Sequence, residues 1–109
     1  MRIWDIPPRK LCRSHLLGEH RELHAIWAIL TRNKKGYAHH PETKRWRGKL
    51  KALYLRHGAL AQEMARREYH HQSPLNKALA RGAGVQDTYL HHPRTQLKML
   101  RGKKCECKV

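Results

Sequence analysis

Residues 9–31 read RKLCRSHLLGEHRELHAIWAILT, and their apolar side chains recur at the spacing of an α-helix. Such spacing places apolar side chains on one face and predicts an amphipathic helix. Pro7-Pro8 precedes the stretch and cannot lie inside a helix, whereas the basic residues at 32–35 and Gly36 favour its end. We therefore expect an extended segment at residues 1–8 and a first helix from Arg9 to Thr31. Its buried face would carry Cys12, Leu16, Leu23, Ile26, Trp27 and Leu30.

The rest of the chain predicts further helices. A second long helix is expected from Lys49 to Glu68, because its apolar residues also recur at helical spacing. Ser73-Pro74 has the form of an N-cap followed by a first-turn proline, which predicts a short helix that ends before Gly82. His92-Pro93 similarly predicts a final short helix to Leu100.

No strand pair or internal repeat is evident, so the sequence predicts an all-α fold. We expect a small single domain over residues 1–100, with two long helices, short C-terminal helices and the N-terminus tucked between them. Residues 101–109 are predicted to form a mobile basic tail.

Charge indicates the class of partner. The chain has 24 Lys and Arg against 8 Asp and Glu, a formal net charge of +16. The basic residues are spread along the whole chain, so the folded body itself is positive. An excess of this kind favours a polyanion, and nucleic acid comes first because phosphate contacts release counterions.

Nothing in the sequence suggests a membrane or a secreted protein. No apolar run approaches the roughly 20 residues needed to cross a bilayer, and the N-terminus lacks the apolar stretch of a signal peptide. Three cysteines are an odd number and suggest no disulfide framework. We expect a monomer in a bacterial or viral cytoplasm, associated with the nucleoid.

Acidic residues of the first helix lie at or within its apolar face. On a wheel of about 100° per residue, with His15 at zero, Glu19 falls near 40° and Glu22 near −20°, whereas the apolar stripe centres near 70°. Arg21 points to the far side. Because burying a carboxylate is costly unless it is paired, two interpretations stay open. The residues line a polar cleft, or they form structural ion pairs with arginines from elsewhere.

The same residues carry a family resemblance. His15-Leu-Leu-Gly-Glu19-His-Arg21-Glu22-Leu23 resembles the first-helix motif His-Leu-x-x-Glu-x-Arg-Glu-Leu of the pyrimidine-dimer DNA glycosylase family, whose phage member is called endonuclease V. Gly36-Tyr37-x-x-His40-Pro41 with Arg45-Trp46, and Ala65-Arg66-Arg67-x-Tyr69, are similar to later segments of the family. The resemblance covers roughly residues 1–75.

The resemblance implies a DNA repair glycosylase with AP-lyase activity. Family members attack DNA with the α-amine of the mature first residue, which here aligns with Met1. Because Arg2 is large, we expect Met1 to be retained. An α-amine has a pKa near 7.7–8.0, against about 10.4 for lysine, so a useful fraction of it is neutral at cellular pH.

The resemblance also implies the reaction and the residues that assist it. The amine attacks C1′ of the 5′ nucleotide of a cyclobutane pyrimidine dimer, forms a Schiff base, and the strand is nicked by β-elimination. Glu22 aligns with the catalytic glutamate, and His15 with a histidine near the active centre. Arg2 and Arg21 match arginines that hold phosphates, whereas Glu19 has the alternative of pairing with an arginine.

A basic segment between the two long helices is the candidate surface for gripping the DNA backbone. It contains Lys44, Arg45, Trp46 and Arg47, and core packing is the alternative for Trp46. The expected partner is double-stranded DNA that contains ultraviolet damage or abasic sites. The chain departs from the phage enzyme at Ala25, which replaces an arginine, and in its C-terminal end. The resemblance therefore leaves the lesion preference open.

Two other functions fit the sequence less well. A non-catalytic basic nucleic-acid-binding protein would have no use for Glu19 and Glu22 near its binding surface. A metal-dependent nuclease would use these carboxylates, but the 8 acidic residues are few and no second carboxylate pair appears among them.

Histidine pairs at 39/40, 70/71 and 91/92, together with Cys105-x-Cys107, raise the question of zinc. Zinc sites usually show Cys-x₂₋₄-Cys spacing with a regular partner pair. Here the cysteine pair is tighter and the histidines are scattered, so we expect no metal and no cofactor. His57 is expected to be a hydrogen-bonded core histidine.

Overall fold

The computed structural model describes residues 2–70, 73–103 and 105–108. Its α-helices are α1 (Arg13–Arg32), α2 (Pro41–Lys44), α3 (Leu50–Arg66) and α4 (Pro93–Arg101), with 3₁₀ turns at Pro8–Lys10 and Lys77–Leu79. Within these residues no strand occurs beyond an isolated bridge between Lys49 and Gly82. The predicted all-α class is confirmed.

The first helix begins later than predicted. Pro8–Lys10 forms a separate 3₁₀ turn, Leu11 is extended, and Cys12 is the N-cap residue of α1. Leu11 is buried in the core, so the chain turns inward before the helix starts. At the other end, Asn33 adopts the left-handed conformation, with φ of 55°, and its N–H donates to the carbonyl of Ile29. The helix therefore ends four residues before Gly36.

The N-terminal segment lies against both long helices. Ile3, Trp4 and Ile6 are buried. The backbone N–H of Trp4 donates to Oε1 of Glu19 on α1 at 2.9 Å, and the carbonyl of Ile6 accepts from Arg56 on α3 at 2.8 Å. This agrees with an N-terminus tucked between the two helices. They share one core with it, formed by Leu11, Leu16, Leu23, Ile26, Trp27, Trp46, Leu53, Leu60 and Met64.

The helix predicted after Ser73-Pro74 does not form, apart from the 3₁₀ turn at Lys77–Leu79. The following segment instead caps α3. The N–H groups of Lys51 and Ala52 donate to the carbonyls of Arg81 and Ala83, at 2.9 and 3.0 Å. The first N–H groups of a helix have no acceptor within the helix. Here the carbonyls of residues 81–83 provide acceptors from outside it.

The C-terminal region returns to the N-terminal one. Gln96 of α4 is buried and accepts the backbone N–H of Asp5 at 2.8 Å. Residues 105–108, expected in a mobile tail, instead contact the start of α1. The N–H of Lys108 donates to the carbonyl of Lys10 at 2.7 Å, and the N–H of Cys12 donates to Sγ of Cys107 at 3.1 Å. Over the residues described, no helix combines the length and the apolar character needed to cross a membrane.

Candidate active site

A cleft of about 330 Å³ opens between the N-terminal segment and the first half of α1. It contains three residues that the sequence predicted for the site, Arg2, His15 and Glu22. The full lining is Arg2, Trp4, Ser14, His15, Gly18, Glu19 and Glu22. The polar cleft expected from the helical wheel is therefore present.

Glu19 is a structural group at the base of this cleft. Its carboxylate is buried and accepts from Nε of Arg56 at 2.7 Å, from Nη2 of Arg56 at 3.1 Å, and from the N–H of Trp4. Burial raises the pKa of Glu19, and the charge of Arg56 opposes that rise. The alternative of an ion pair with an arginine holds for Glu19, which fixes the N-terminal segment on α1.

Glu22 has different surroundings. It is half-buried and borders both the cleft and a second hollow of about 440 Å³ lined by Lys34, Gly36 and Tyr37. Within the described part of the chain its carboxylate has no recorded hydrogen bond or ion pair. Because Glu22 borders both hollows, its carboxylate can approach a ligand in the cleft.

Arg2 is held over the cleft by several weak contacts. Its guanidinium carbon lies 5.0 Å from the ring centroid of Trp4. Its Nη1 lies 3.4 Å from Nδ1 of His91 and 4.0 Å from Sδ of Met99. Met1, the predicted nucleophile, lies outside the described residues. Arg2, its neighbour in the chain, lines the cleft.

His15 lies where the sequence predicted, but its ring has an additional set of neighbours. It packs edge-on to Trp4 with the centroids 5.7 Å apart. Its Nδ1 lies 3.1 Å from Sγ of Cys12 and 3.2 Å from Sγ of Cys107. Burial lowers the pKa of His15, and the positive charge of Lys103 lowers it further.

The prediction that Arg45 grips the DNA backbone is wrong, and the alternative of core packing holds for Trp46, because their exposed fractions are only 6% and 2%. Nε of Arg45 donates to Oε1 of Glu42 at 2.7 Å, and its Nη2 lies 2.9 Å from Oδ2 of Asp5. Nε1 of Trp46 also donates to Oε1 of Glu42, at 3.1 Å. Both side chains satisfy the buried carboxylate of Glu42, so both belong to the core.

The carboxylates around Arg45 determine the direction in which its pKa shifts. Burial would lower the pKa of its guanidinium, but the carboxylates of Glu42 and Asp5 outweigh burial and raise it. Arg45 thus stays charged and joins α2 to the N-terminal segment. The neighbouring Lys44 and Arg47 are exposed, as is Arg21 on α1, and all three remain available to a partner.

Sequence reasoning missed one aromatic side chain beside Glu22. Tyr37 lines the second hollow, and 69% of it is exposed. Its backbone has φ of 58°. The sequence shows that Tyr37 is near basic residues, but its exposure depends on a local turn after α1 that has no clear sequence signal.

The structure also brings together two groups of side chains that could hold a metal ion. One potential ligand atom from each of Cys12, His15, Cys105 and Cys107 lies within 4.8 Å of the others, and the same holds for His20, His24 and His57. The prediction that no zinc binds considered only cysteines and histidines that are close together in the sequence. These ligands come from opposite ends of the chain or from different helices, so spacing alone could not reveal them. His57 is buried and contacts His24, as expected of a core histidine.

Comparison with known families identifies the family of this chain. The family model described as pyrimidine dimer DNA glycosylase matches residues 1–77, which include the N-terminal segment, α1 and α3. Comparisons with curated proteins and with solved structures return no match. Because the family model covers more than half of the chain, this protein belongs to the pyrimidine dimer DNA glycosylase family.

Proposed function

We propose that the protein is a DNA glycosylase with AP-lyase activity that acts on cyclobutane pyrimidine dimers in double-stranded DNA. The observation that carries the proposal is the cleft shared by Arg2, His15 and Glu22, inside the region matched by the family model. There Arg2, the first described residue of the chain, lines the same cleft as the half-buried Glu22.

The proposed nucleophile is the neutral α-amine of Met1. Its nitrogen bonds to C1′ of the 5′ nucleotide of the dimer, and the glycosidic bond breaks with its electron pair leaving on the base. Loss of the nitrogen proton and opening of the sugar ring give an imine between enzyme and sugar. Removal of a proton from C2′ then expels the 3′ phosphate by β-elimination, which nicks the strand. The same route serves an abasic site, where water leaves in place of the base.

Glu22 suits two steps of this route. A carboxylate stabilises the positive charge that develops on the sugar, and it can transfer the proton lost from C2′. Glu19 cannot take that part, because it is buried and held by Arg56. His15 lines the same cleft and would position the sugar or the amine.

The positive surface would hold the duplex. A formal charge of +16 favours DNA through counterion release, and exposed Arg21, Lys44 and Arg47 are the candidate phosphate contacts, together with Arg2. Tyr37 offers an exposed ring beside Glu22, where a base displaced from the stack could lie against it. We expect the protein to work as a monomer.

Trapping with borohydride tests the proposal. The protein is incubated with ultraviolet-irradiated duplex DNA, reduced, and digested for mass spectrometry. The expected product is a covalent adduct on the N-terminal peptide at Met1. Absence of an adduct with both dimer-containing and abasic DNA, while binding persists, would favour a non-catalytic basic DNA-binding protein.

An N-terminal extension provides the control for the amine. A chain with extra residues before Met1 should bind DNA normally and form no adduct. The same chain should regain trapping after the extension is removed to expose Met1. Full trapping by the extended chain would exclude the terminal amine as the nucleophile.

A further inference from the structure

The structure places three cysteines and one histidine around a common point beside the cleft. Cys12 and His15 come from the start of α1, three residues apart, whereas Cys105 and Cys107 follow α4. Nδ1 of His15 lies 3.1 Å from Sγ of Cys12 and 3.2 Å from Sγ of Cys107. All four potential ligand atoms lie within 4.8 Å of one another.

We propose that Cys12, His15, Cys105 and Cys107 form a structural zinc site. Three thiolates and one imidazole are a common ligand set for structural zinc, with Zn–S near 2.3 Å and Zn–N near 2.0–2.1 Å. In a tetrahedron of those bonds, neighbouring ligand atoms are about 3.5–3.8 Å apart. The observed separations at His15 need to widen by only about 0.4 Å to admit the ion.

The surroundings suit bound thiolates. The backbone N–H of Cys12 donates to Sγ of Cys107 at 3.1 Å, and such outer hydrogen bonds orient the ligands of a metal. Zinc binding would release the protons of three thiols and leave a site with a net charge of −1. The basic chain compensates that charge easily, with its net charge of +16.

A zinc ion with four protein ligands would have a structural role. Four protein ligands leave no open position for water or substrate, so the ion would not take part in the reaction. Instead it would join the C-terminal segment, which lies outside the matched residues 1–77, to the start of α1. It would also fix the ring of His15 through Nδ1, and that ring lines the cleft.

Metal content of the purified full-length chain tests the site directly. The protein is prepared without a polyhistidine tag, under reducing conditions, and its zinc is measured by plasma mass spectrometry. The double variant Cys105→Ser/Cys107→Ser should lose one equivalent of zinc relative to the unchanged chain. A variant with undiminished zinc content would overturn the proposal.

Cobalt separates this site from the histidine cluster His20, His24 and His57. Co²⁺ bound to the proposed site should give a strong thiolate-to-metal charge-transfer band, which imidazole ligands alone cannot give. The band should disappear in the cysteine double variant and persist in the matched control His24→Gln. Loss of the band only in His24→Gln would place the metal elsewhere and refute the assignment.

The unchanged chain provides a test that does not depend on whether the variants fold. Zinc should protect all three cysteines from alkylation by a maleimide, and a chelator should expose them. If the three cysteines react equally fast with and without zinc, or if the reduced chain binds no zinc, the proposal fails. A Cys12–Cys107 disulfide in the freshly purified protein, seen as the loss of two hydrogens, would likewise overturn it.

Discussion

Glu19 and Glu22 lie three residues apart on α1, and their surroundings give them different tasks. Glu19 is buried and binds Arg56 and the N–H of Trp4. Glu22 borders the cleft and has no recorded partner in the described structure. The helical wheel already placed Glu19 inside the apolar stripe and Glu22 at its edge, so this difference follows from the spacing of the sequence.

Substitution of each glutamate by glutamine should separate the two tasks. Glu22→Gln should leave stability within about 0.5 kcal/mol and reduce strand cleavage by at least about 100-fold. Glu19→Gln should lower stability by about 3–5 kcal/mol, because the guanidinium of Arg56 loses its charged partner. Chemical denaturation and single-turnover cleavage measure the two effects. Equal cleavage by Glu22→Gln and the unchanged protein would remove Glu22 from the mechanism.

Arg45 and Lys44 form a second matched pair, because they are neighbours and only Lys44 is exposed. Arg45→Gln should destabilise the fold by about 3–5 kcal/mol, since Glu42 and Asp5 are left with unpaired charges. Lys44→Gln should leave stability nearly unchanged and lower the salt dependence of DNA binding by about one phosphate contact. Thermal unfolding and binding at several salt concentrations measure these effects. A stable Arg45→Gln variant with weakened DNA binding would restore the sequence-based prediction.

The burial of Arg45 and Trp46 could not be predicted from the residues of their own segment. A run of basic residues with a tryptophan is typical of a nucleic-acid surface. The run faces the core here because Glu42 binds both Arg45, three residues later, and Trp46, four residues later. Asp5, from the beginning of the chain, also pairs with Arg45. The Glu42 spacing was visible in the sequence, but the approach of Asp5 was not.

Among the elements, the two long helices with an apolar face and the short helix that begins at His92-Pro93 were predicted, whereas the helix indicated by Ser73-Pro74 does not form. The periodic stretches became α1 and α3, with ends within a few residues of the prediction. Ser73-Pro74 carried a good helix-start signal, but only a short apolar stretch, Leu75, Ala78 and Leu79, follows it before Gly82, and no α-helix forms there. A cap is worth about 1 kcal/mol, which does not create a helix without packing.

Gly82 is the critical position in the segment that caps α3. Its φ is 86°, and a Cβ atom there would clash with the carbonyl oxygen of Gly48. Gly82→Ala should therefore cost at least about 1–3 kcal/mol from backbone conformation alone, in addition to the clash. Gly84→Ala is the control, because its Cβ would meet only the flexible side chain of Lys51, at 3.4 Å. Equal denaturation midpoints for the two variants would show that residues 81–83 do not support α3.

At the scale of the whole molecule, the C-terminal part, which the family match does not cover, supports the N-terminal segment that lines the cleft. Residues 1–77 match the family model, yet the N-terminal segment is held partly by α4. Oε1 of Gln96 accepts the N–H of Asp5 at 2.8 Å, and its Nε2 donates to Oδ2 of Asp5 at 2.9 Å. Contacts between residues 91 positions apart leave no periodic signal, so the sequence could not predict them.

Because the proposed nucleophile precedes Arg2, the anchoring of Asp5 by Gln96 should affect the reaction. Gln96 is 2% exposed, so Gln96→Ala leaves both the N–H and the carboxylate of Asp5 short of a partner. We expect a loss of about 1–3 kcal/mol in stability and a fall of about tenfold to 100-fold in the rate of borohydride-trappable imine formation, since small misplacements of reacting groups slow a reaction strongly.

Single-turnover trapping, well below the unfolding temperature of the variant, separates the effect on rate from the effect on stability. Affinity for undamaged duplex should stay within about twofold, because the exposed basic residues are unchanged. Gln62→Ala on α3 serves as the control, since Gln62 is exposed and remote in sequence from Asp5. A destabilised Gln96→Ala that forms the imine at the unchanged rate would mean that Glu19, Arg45 and Arg56 alone keep the N-terminal segment in its reactive position.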